Sequence, residues 1–310
     1  MNKKTYLIEK AEKGLTIQQY LKQIAGFSNA QIRSMKFTEN GICLGGQRAR
    51  VTTRLSEGDV LEVLLETKNS SSAHLLSFEK MPDILYEDAD VIAVNKPAGM
   101  AVHPSHGHYQ DTLANQLAYY FRKNTQQVEI HSIGRLDLET SGIVLFAKHR
   151  AAAARLSRQR EDGRLQKTYL AICSGIFAEK NGTLNGAIAP LPGSLMKMCV
   201  SKDGKPAVTH YQVQKQYMEA ALVQLTLETG RTHQIRVHMA DAGHPLIGDR
   251  LYFADTDQKA DVDAENCFTG IKRAALHASR ICFYQPFEGK RITVEAPFPE
   301  DMKKCLFRDE

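Results

Sequence analysis

The sequence has no tryptophan, and none of its six cysteines forms a Cys-x-x-Cys pair. Structural zinc sites and disulfide frameworks need closely spaced cysteines, so neither is expected here. Isolated cysteines fit a reducing cytoplasm, which is the location we expect. No apolar run approaches the roughly 18 residues of a membrane span. The lysines near the start are not followed by an apolar stretch, so we expect no secretory leader.

Several sequence motifs are also missing. The chain has no Walker loop, no Gly-x-Gly-x-x-Gly, no His-Glu-x-x-His and no Gly-x-Ser-x-Gly. The sequence therefore lacks the motifs that usually indicate nucleotide hydrolysis, dinucleotide redox chemistry or zinc proteolysis. What remains is a chain of 310 residues with 43% hydrophobic residues and a net charge of +5. Its length corresponds to about two domains at roughly 150 residues each.

The first part of the chain is strongly basic. Residues 20–54 contain six basic side chains and one acidic side chain. Helical spacing from Ile17 to Ile24, with Thr16 as a cap, and a second helix from Ser28 to Lys36 precede two short strands. This pattern favours a small RNA-binding module. A small α+β lid with solvated charges is the alternative, and composition does not decide between them.

The serine-rich stretch Lys68–Ala73 marks a boundary between domains. We predict a small domain at 1–67, a linker at 68–80 and a larger domain at 81–310. Strand-like and helical segments after the linker predict an α+β fold with a mixed or antiparallel sheet. The strands are predicted at 91–95, 143–148, 167–173, 208–215 and 222–228, and the helices at 112–121, 149–160 and 232–241. The acidic stretch 254–270 is interpreted as a solvated surface insertion.

A loop with His103, His106 and His108 has the residue type of a metal site. No carboxylate or cysteine stands at a defined spacing from these histidines, so we favour a substrate-facing loop over a metal centre.

Three segments carry the residues of a chemical site. The first is His131–Gly142, which contains Arg135-Leu136-Asp137 and runs into an apolar strand. The second is Leu227–His238, which contains Arg231 and Arg236, where a strand gives way to a helix. The third is Gln166–Ala171, which contains Lys167 and Tyr169. Together they offer a carboxylate, an arginine able to keep it ionised and an aromatic ring for a planar substrate. A salt bridge beside a core tyrosine is the alternative interpretation.

These segments, in this order, closely resemble the RluA family of RNA pseudouridine synthases. The resemblance extends through Asn95–Met100, 198–206, Gly243–Asp249 and Ala275–Ala278. The first sixty-odd residues are similar to the S-four-type RNA-binding domain. It implies an α+β pseudouridine synthase domain with a mixed or antiparallel sheet and a small α+β domain before it. One departure is Gly134, which stands where the family often has histidine.

The resemblance implies that the protein is an isomerase that converts uridine to pseudouridine in RNA. Asp137 would be the essential carboxylate, as nucleophile or as base toward a ribose proton. Arg231 would pair with it, and Tyr169 would pack on the uracil. Arg135 would fill the stack vacated by a flipped base or clamp a phosphate.

The same resemblance implies further substrate contacts. Lys167, Arg236 and His103 are expected to bind RNA or to support the site. No cofactor and no metal are implied, DNA and membranes are not expected partners, and we expect a monomer.

Three alternatives concern the substrate and the activity. The basic first domain favours large-subunit ribosomal RNA over transfer RNA. A non-catalytic RNA-binding or ribosome-assembly factor would be expected to lack one of Asp137, Tyr169 and Arg231, but all three are present. A hydrolytic glycosidase would need a second placed carboxylate.

Overall fold

The computed structural model describes residues 3–65, 75–105, 107–126, 128–253 and 271–306. The predicted boundary at 68–73 and the acidic stretch 254–270 lie outside these residues. None of the described helices is long and apolar enough to span a membrane.

A small N-terminal unit occupies the first 65 residues. Its four strands form an antiparallel sheet in the order β1-β4-β2-β3, with two helices packed on it. Thr16 and Ser28 cap the two helices with their hydroxyls, as the sequence predicts for Thr16. The elements are β1 (Lys3–Leu7), a short 3-10 helix (Lys10–Glu12), α1 (Ile17–Gln23), α2 (Asn29–Phe37), β2 (Ile42–Leu44), β3 (Gln47–Arg48) and β4 (Val60–Leu64).

The larger unit is built on one sheet of ten strands, flanked by helices and by a separate two-stranded ribbon. Its strands are β5 (Asp83–Glu87), β6 (Val91–Lys96), β7 (His131–Ser132), β8 (Ser141–Ala147), β9 (Gln166–Ser174), β10 (Asn181–Asn185), β11 (Ile188–Pro190), β12 (Met198–Val200), β13 (Val208–Gln216), β14 (Ala220–Leu227), β15 (Leu276–Tyr284) and β16 (Arg291–Glu295). Its helices are α3 (Leu113–Lys123), α4 (Arg150–Glu161), α5 (Gln234–Asp241) and α6 (Glu300–Leu306).

The order of strands in the large sheet brings distant segments together. The main path runs β10-β13-β14-β9-β15-β8-β6-β5, with β16 on β15 and β7 on β8. Every pair is antiparallel except β8 with β15, which are parallel. The predicted α+β class with a mixed sheet is therefore confirmed. The parallel pair joins the half of the sheet that contains β6 and β8 to the half that contains β9 and β14.

Helix starts follow the side chains that cap them. Thr112 and His149 precede α3 and α4 and accept hydrogen bonds from backbone amides of the first turn. The third predicted helix begins later than expected, at Gln234 instead of Thr232. The reason is His233, whose φ of 56° is left-handed and cannot continue a right-handed helix.

The end of the predicted linker differs from the expectation. Leu75 is buried in the main core, and the side-chain amide of Asn115 donates to the carbonyl of Leu76 at 2.7 Å. The backbone amide of Phe78 also donates to the carbonyl of Asn115. Residues 75–78 therefore pack on the larger unit, because the apolar residues after the serine run find a core to enter.

The two units are in contact through Arg155 of α4. Its guanidinium lies 3.8 Å from the ring centre of Phe287 in the larger unit and 4.8 Å from that of Phe27 in the N-terminal unit. It also donates to the carbonyl of Pro286 at 3.1 Å. A cation close to two aromatic rings is attracted to both, and more strongly when it is shielded from water. The side chain of Arg155 thus contacts both units.

Gly142 allows the parallel pair to form. At its φ of 106°, an added Cβ would lie 2.3 Å from the carbonyl oxygen and 2.7 Å from the amide nitrogen of Ala278 on β15. Only glycine tolerates both this backbone conformation and this approach.

We predict that Gly142→Ala lowers the free energy of unfolding by about 3 kcal/mol or more, because the new methyl group meets backbone that cannot move freely. Gly163→Ala is the matched control. Gly163 has a φ of 75° but nothing within 4 Å of its Cβ position. The control should lose only about 1 kcal/mol, through backbone strain alone. Urea unfolding measures both values, and equal losses would contradict the steric argument.

Candidate active site

The loop that carries Asp137 is held by core packing and by backbone hydrogen bonds. Leu136 is buried in the main core, and the amide of Ile133 donates to the carbonyl of Leu145 at 2.7 Å. The amide of Thr140 donates to the carbonyl of Asp137 at 3.2 Å, which makes a tight turn before β8. The Asp137 side chain is half-buried between these anchors. A carboxylate is thus held in a defined place with access to a ligand.

A buried lysine secures the other side of this loop. The ammonium of Lys96, which is fully buried, donates to the carbonyls of Pro97 at 3.0 Å, Met100 at 2.7 Å and Leu138 at 3.1 Å. Burial lowers the pKa of Lys96 to about 7, while the nearby charge of Asp137 acts in the opposite direction. The sequence analysis gave Lys96 no role. A lysine that ends the apolar strand Val91–Asn95 is the signal that could have indicated it.

Tyr169 lies next to Asp137, on a strand in the other half of the large sheet. It belongs to β9, is buried in the main core and pairs with Ala278 of β15. Burial raises the pKa of its hydroxyl, and the negative charge of Asp137 raises it further. The first and third sequence segments are therefore brought together, with a neutral aromatic ring beside the carboxylate.

Gln234 shapes the turn between β14 and α5. Its side-chain oxygen accepts hydrogen bonds from the Thr229 hydroxyl at 2.8 Å and from the Arg231 amide at 3.0 Å. Its side-chain amide donates to the carbonyl of Val208 at 2.9 Å. The second sequence segment is thus a rigid turn anchored to β13.

The predicted ion pair between Arg231 and Asp137 is absent. Arg231 is exposed, and its Nε donates to the carbonyl of Pro206 at 3.0 Å. The turn held by Gln234 directs the arginine along the chain before β13. Its terminal nitrogens make no hydrogen bond within the described ranges.

Arg135 joins the first and second segments instead. Its Nη2 donates to the hydroxyl of Thr232 at 2.7 Å, although the two residues are 97 positions apart. Arg135 is exposed, as a residue that contacts RNA would need to be.

Arg236, which is expected to bind RNA or to support the site, lies inside the protein in an ion pair. It is only 4% exposed and makes a two-point ion pair with Asp249, at 2.7 Å for each contact. Burial acts to lower the pKa of Arg236, but the Asp249 carboxylate raises it overall. Its guanidinium also faces the ring of Tyr252 at 5.1 Å. The sequence pattern could not show the partner, because Asp249 is 13 residues away.

His233 and Tyr252 form the wall next to this ion pair. The Nδ1 of His233 and the Tyr252 hydroxyl are 2.8 Å apart, and that hydroxyl accepts from the amide of Met198 at 2.9 Å. Burial lowers the pKa of His233, and the charge of Asp137 opposes this effect. His233 is one of three non-glycine residues with positive φ in the described ranges. Backbone strain of this kind concentrates at functional sites.

The two remaining predicted contacts lie on different elements. His103 is half-buried, with its ring against Phe146 at 6.0 Å in an edge-on arrangement. Lys167 is half-buried on β9. His106, of the possible metal loop, lies outside the described residues, and His108 pairs with Asp111 at 2.8 Å. No cluster of three metal-ligating side chains occurs among the residues that the structure describes.

Comparison with known proteins identifies relatives over most of the chain. A family model described as RNA pseudouridylate synthase matches residues 90–241. An uncharacterized RNA pseudouridine synthase of Bacillus subtilis, YjbO, is 36% identical over 94% of this chain and 98% of its own length. A second one, YhcT, is 39% identical over 80% of this chain and 78% of its own length.

A relative with a named target and a solved structure extend the comparison. Ribosomal large subunit pseudouridine synthase D of Neisseria meningitidis is 38% identical over 85% of this chain and 67% of its own length. The structure of human RNA pseudouridylate synthase domain containing 1 superposes with a TM-score of 0.57. It is 27% identical and covers 77% of this chain and 90% of that one.

The position of Lys96 yields a test of how the Asp137 loop is held. Lys96→Met keeps a long side chain but removes the ammonium, so the carbonyls of Pro97 and Met100 lose this donor and the Leu138 carbonyl keeps only the Gly99 amide. We expect the free energy of unfolding to fall by about 1–3 kcal/mol. We also expect faster hydrogen exchange of the Gly99 amide, which donates to the Leu138 carbonyl at 2.8 Å.

Lys148→Met is the matched control for this prediction. Lys148 is also buried and donates to Glu87 and to the Asp88 carbonyl, but at the far end of β8 from Asp137. The control should lose stability without a local change at Gly99. Equal acceleration of Gly99 exchange in both variants would mean that Lys96 has no specific hold on the loop.

Proposed function

Because this chain belongs to the RluA family of RNA pseudouridine synthases, isomerases that act on RNA, we propose that Asp137 is the carboxylate that carries its reaction. The observation that supports this role is the construction of the Asp137 loop. Lys96, Leu136 and Thr140 hold the loop, while the carboxylate stays half-exposed beside the ring of Tyr169. A placed carboxylate next to a flat apolar surface suits a nucleoside with its glycosidic bond near the acid group.

The reaction moves one bond within a nucleotide. The bond between ribose C1′ and uracil N1 breaks, the base rotates, and C1′ joins uracil C5. The hydrogen on C5 is lost and N1 gains one, so product and substrate have the same composition. Positive charge develops on the ribose as the first bond breaks, and an ionised Asp137 stabilises that charge, either as a nucleophile at C1′ or as a base toward a ribose proton.

Tyr169 is proposed to hold the detached uracil. Its ring is buried on a rigid strand, and its hydroxyl stays neutral because burial and the Asp137 charge both raise its pKa. A neutral aromatic ring stacks on a base without competing for the proton chemistry. A base that has left its ribose must turn without escaping, and a fixed stacking surface serves this purpose.

Arg231 and Arg135 are proposed to act once RNA is present. Both are exposed at the rim of the site, and the terminal nitrogens of Arg231 have no protein acceptor within the described residues. Arg231 would turn toward Asp137 or a substrate phosphate. Arg135 would release Thr232 and enter the helix stack vacated by the flipped nucleotide, or clamp a phosphate there. We propose that His103 lines the substrate loop.

The proposed target is large-subunit ribosomal RNA. One line of support is the similarity to synthase D of the ribosomal large subunit, and another is the basic N-terminal unit. Transfer RNA is the second candidate. The proposal also assigns RNA contacts to that unit, where Lys22, Arg33, Lys36, Arg48 and Arg50 are exposed.

The first test maps pseudouridine in total RNA of cells with and without the gene, by carbodiimide-dependent stops of reverse transcription. We expect one or more sites to disappear on deletion and to return with the wild-type protein. Asp137→Asn should not restore them, since its rate should fall by about 10³-fold or more while RNA binding persists. The control is Asp203→Asn, which changes an exposed carboxylate on a turn.

The outcomes of the map separate the alternatives. Full restoration by Asp137→Asn would reject the proposed role of the carboxylate. No lost site in any RNA, with redundant enzymes also deleted, would favour a binding or assembly factor. Release of free uracil in vitro would indicate a glycosidase.

A second test concerns the N-terminal unit. Reversing two exposed charges there, Arg33→Glu with Arg50→Glu, should weaken binding of a large-subunit RNA fragment about tenfold or more at fixed salt concentration. The same change at Lys180 and Lys215, which are exposed in the larger unit near β13, is the matched control. An equal loss from both pairs would mean that the N-terminal unit has no special part in RNA binding.

A further inference from the structure

Two cations converge on the turn that precedes Asp137. Lys167 of β9 and Arg160 of α4 approach Gly134 from two elements. A Cβ placed on Gly134 would lie 3.5 Å from Nη1 of Arg160 and 3.8 Å from Nζ of Lys167. The glycine therefore leaves a space that is bordered by two positive charges.

Neither cation has an anionic partner. Among the described residues, the side chains of Arg160 and Lys167 take part in no ion pair and no hydrogen bond, whereas the neighbouring Arg164 pairs with Asp162 at 2.6 Å. Burial and, to a smaller extent, the charge of Arg160 lower the pKa of Lys167 to about 8. Arg160 is exposed and Lys167 is half-buried, and two cations this close repel each other until an anion joins them.

The turn at Gly134 also contains backbone donors. Gly134 has a φ of 84°, which turns the chain sharply before Arg135. The amides of Gly134 and Arg135 find no acceptor among the described residues. Successive free amides in such a turn form a concave site for an anion.

The location relates this space to the reacting base. Gly134 is three residues before Asp137 in the chain, so their Cα atoms are at most about 11 Å apart. A phosphate next to a uridine held at Asp137 would lie within a comparable distance of the ribose, so the space at Gly134 is within its reach.

We propose that Lys167, Arg160 and the Gly134 turn form a binding site for a single phosphodiester of the RNA, the one directly adjacent to the uridine held at Asp137. This inference rests on the proposed function, because it assumes that a uridine in RNA enters the site. The site fixes the position of the nucleotide along the strand without reading a base.

The test uses the RNA stem-loop around the mapped uridine, with binding measured in the Asp137→Asn background. The stem-loop is made in three forms. One is natural, and each of the others carries an uncharged methylphosphonate in place of the phosphate on one side of the uridine. We expect one of these substitutions to weaken binding about tenfold. Lys167→Met should weaken binding of the natural RNA by a similar factor, and Lys167→Arg should retain most of the affinity.

The decisive result is non-additivity. On the RNA that lacks the relevant charge, Lys167→Met should cause no further loss, because the phosphate that it contacts is already neutral. Lys215→Met is the matched control. Val208, at the start of β13, contacts the Thr229 turn, whereas Lys215 lies seven residues further along the same strand. Lys215→Met should therefore leave the methylphosphonate effect intact.

The failures are distinguishable. Losses that multiply fully for Lys167→Met with both methylphosphonates would overturn the phosphate site and leave the proposed reaction standing. A deletion map without any lost pseudouridine would overturn the proposed function, and the phosphate site with it.

Discussion

The contact between Gly142 and Ala278 is the constraint on which the candidate site depends. The two residues belong to β8 and β15, the parallel pair of the large sheet, and their backbones meet without an intervening Cβ. Asp137 precedes β8 and Tyr169 lies on β9, the next strand after β15. A wider spacing at this junction would move the carboxylate away from the aromatic ring. The geometry of the site is therefore a consequence of how one glycine allows two halves of a sheet to join.

The charged groups around Asp137 do not form the simple ion pair with Arg231 that is expected from the sequence. The nearest buried cation of the loop is Lys96, which is held by carbonyls and not by a carboxylate. Arg236 is paired with Asp249, and burial lowers the pKa of His233. The Asp137 carboxylate thus has no direct salt bridge in the described ranges. Arg231, proposed to turn toward Asp137 or a substrate phosphate once RNA is present, would therefore become an ionic partner of Asp137 only in the complex with RNA.

The sequence predicts the elements of the fold well where local signals determine them. The predicted strands at 91–95 and 208–215 agree with β6 and β13 within one residue at each end, and the caps of α3 and α4 lie at the first residues of the predicted helices. What it does not predict depends on partners far along the chain. Arg236 binds Asp249, Arg231 binds the carbonyl of Pro206, and Lys96 binds the carbonyl of Leu138. These contacts depend on the order of strands in the sheet, which no short sequence pattern contains. Residue types in a motif therefore indicated which groups matter, and tertiary packing decided what each one contacts.

The N-terminal unit shares a side chain with the larger unit, and this affects how its cations can serve an RNA ligand. Arg155 contacts the rings of both Phe27 and Phe287, and the side-chain amide of Gln31 donates to the carbonyl of Arg150 on the same helix at 3.3 Å. Helix α4, which provides these contacts, also carries Arg160 at its other end, beside Gly134. One rigid helix thus connects the N-terminal unit to the turn before Asp137. The cations of the N-terminal unit and the cations beside Gly134 are therefore held at a fixed separation by this helix.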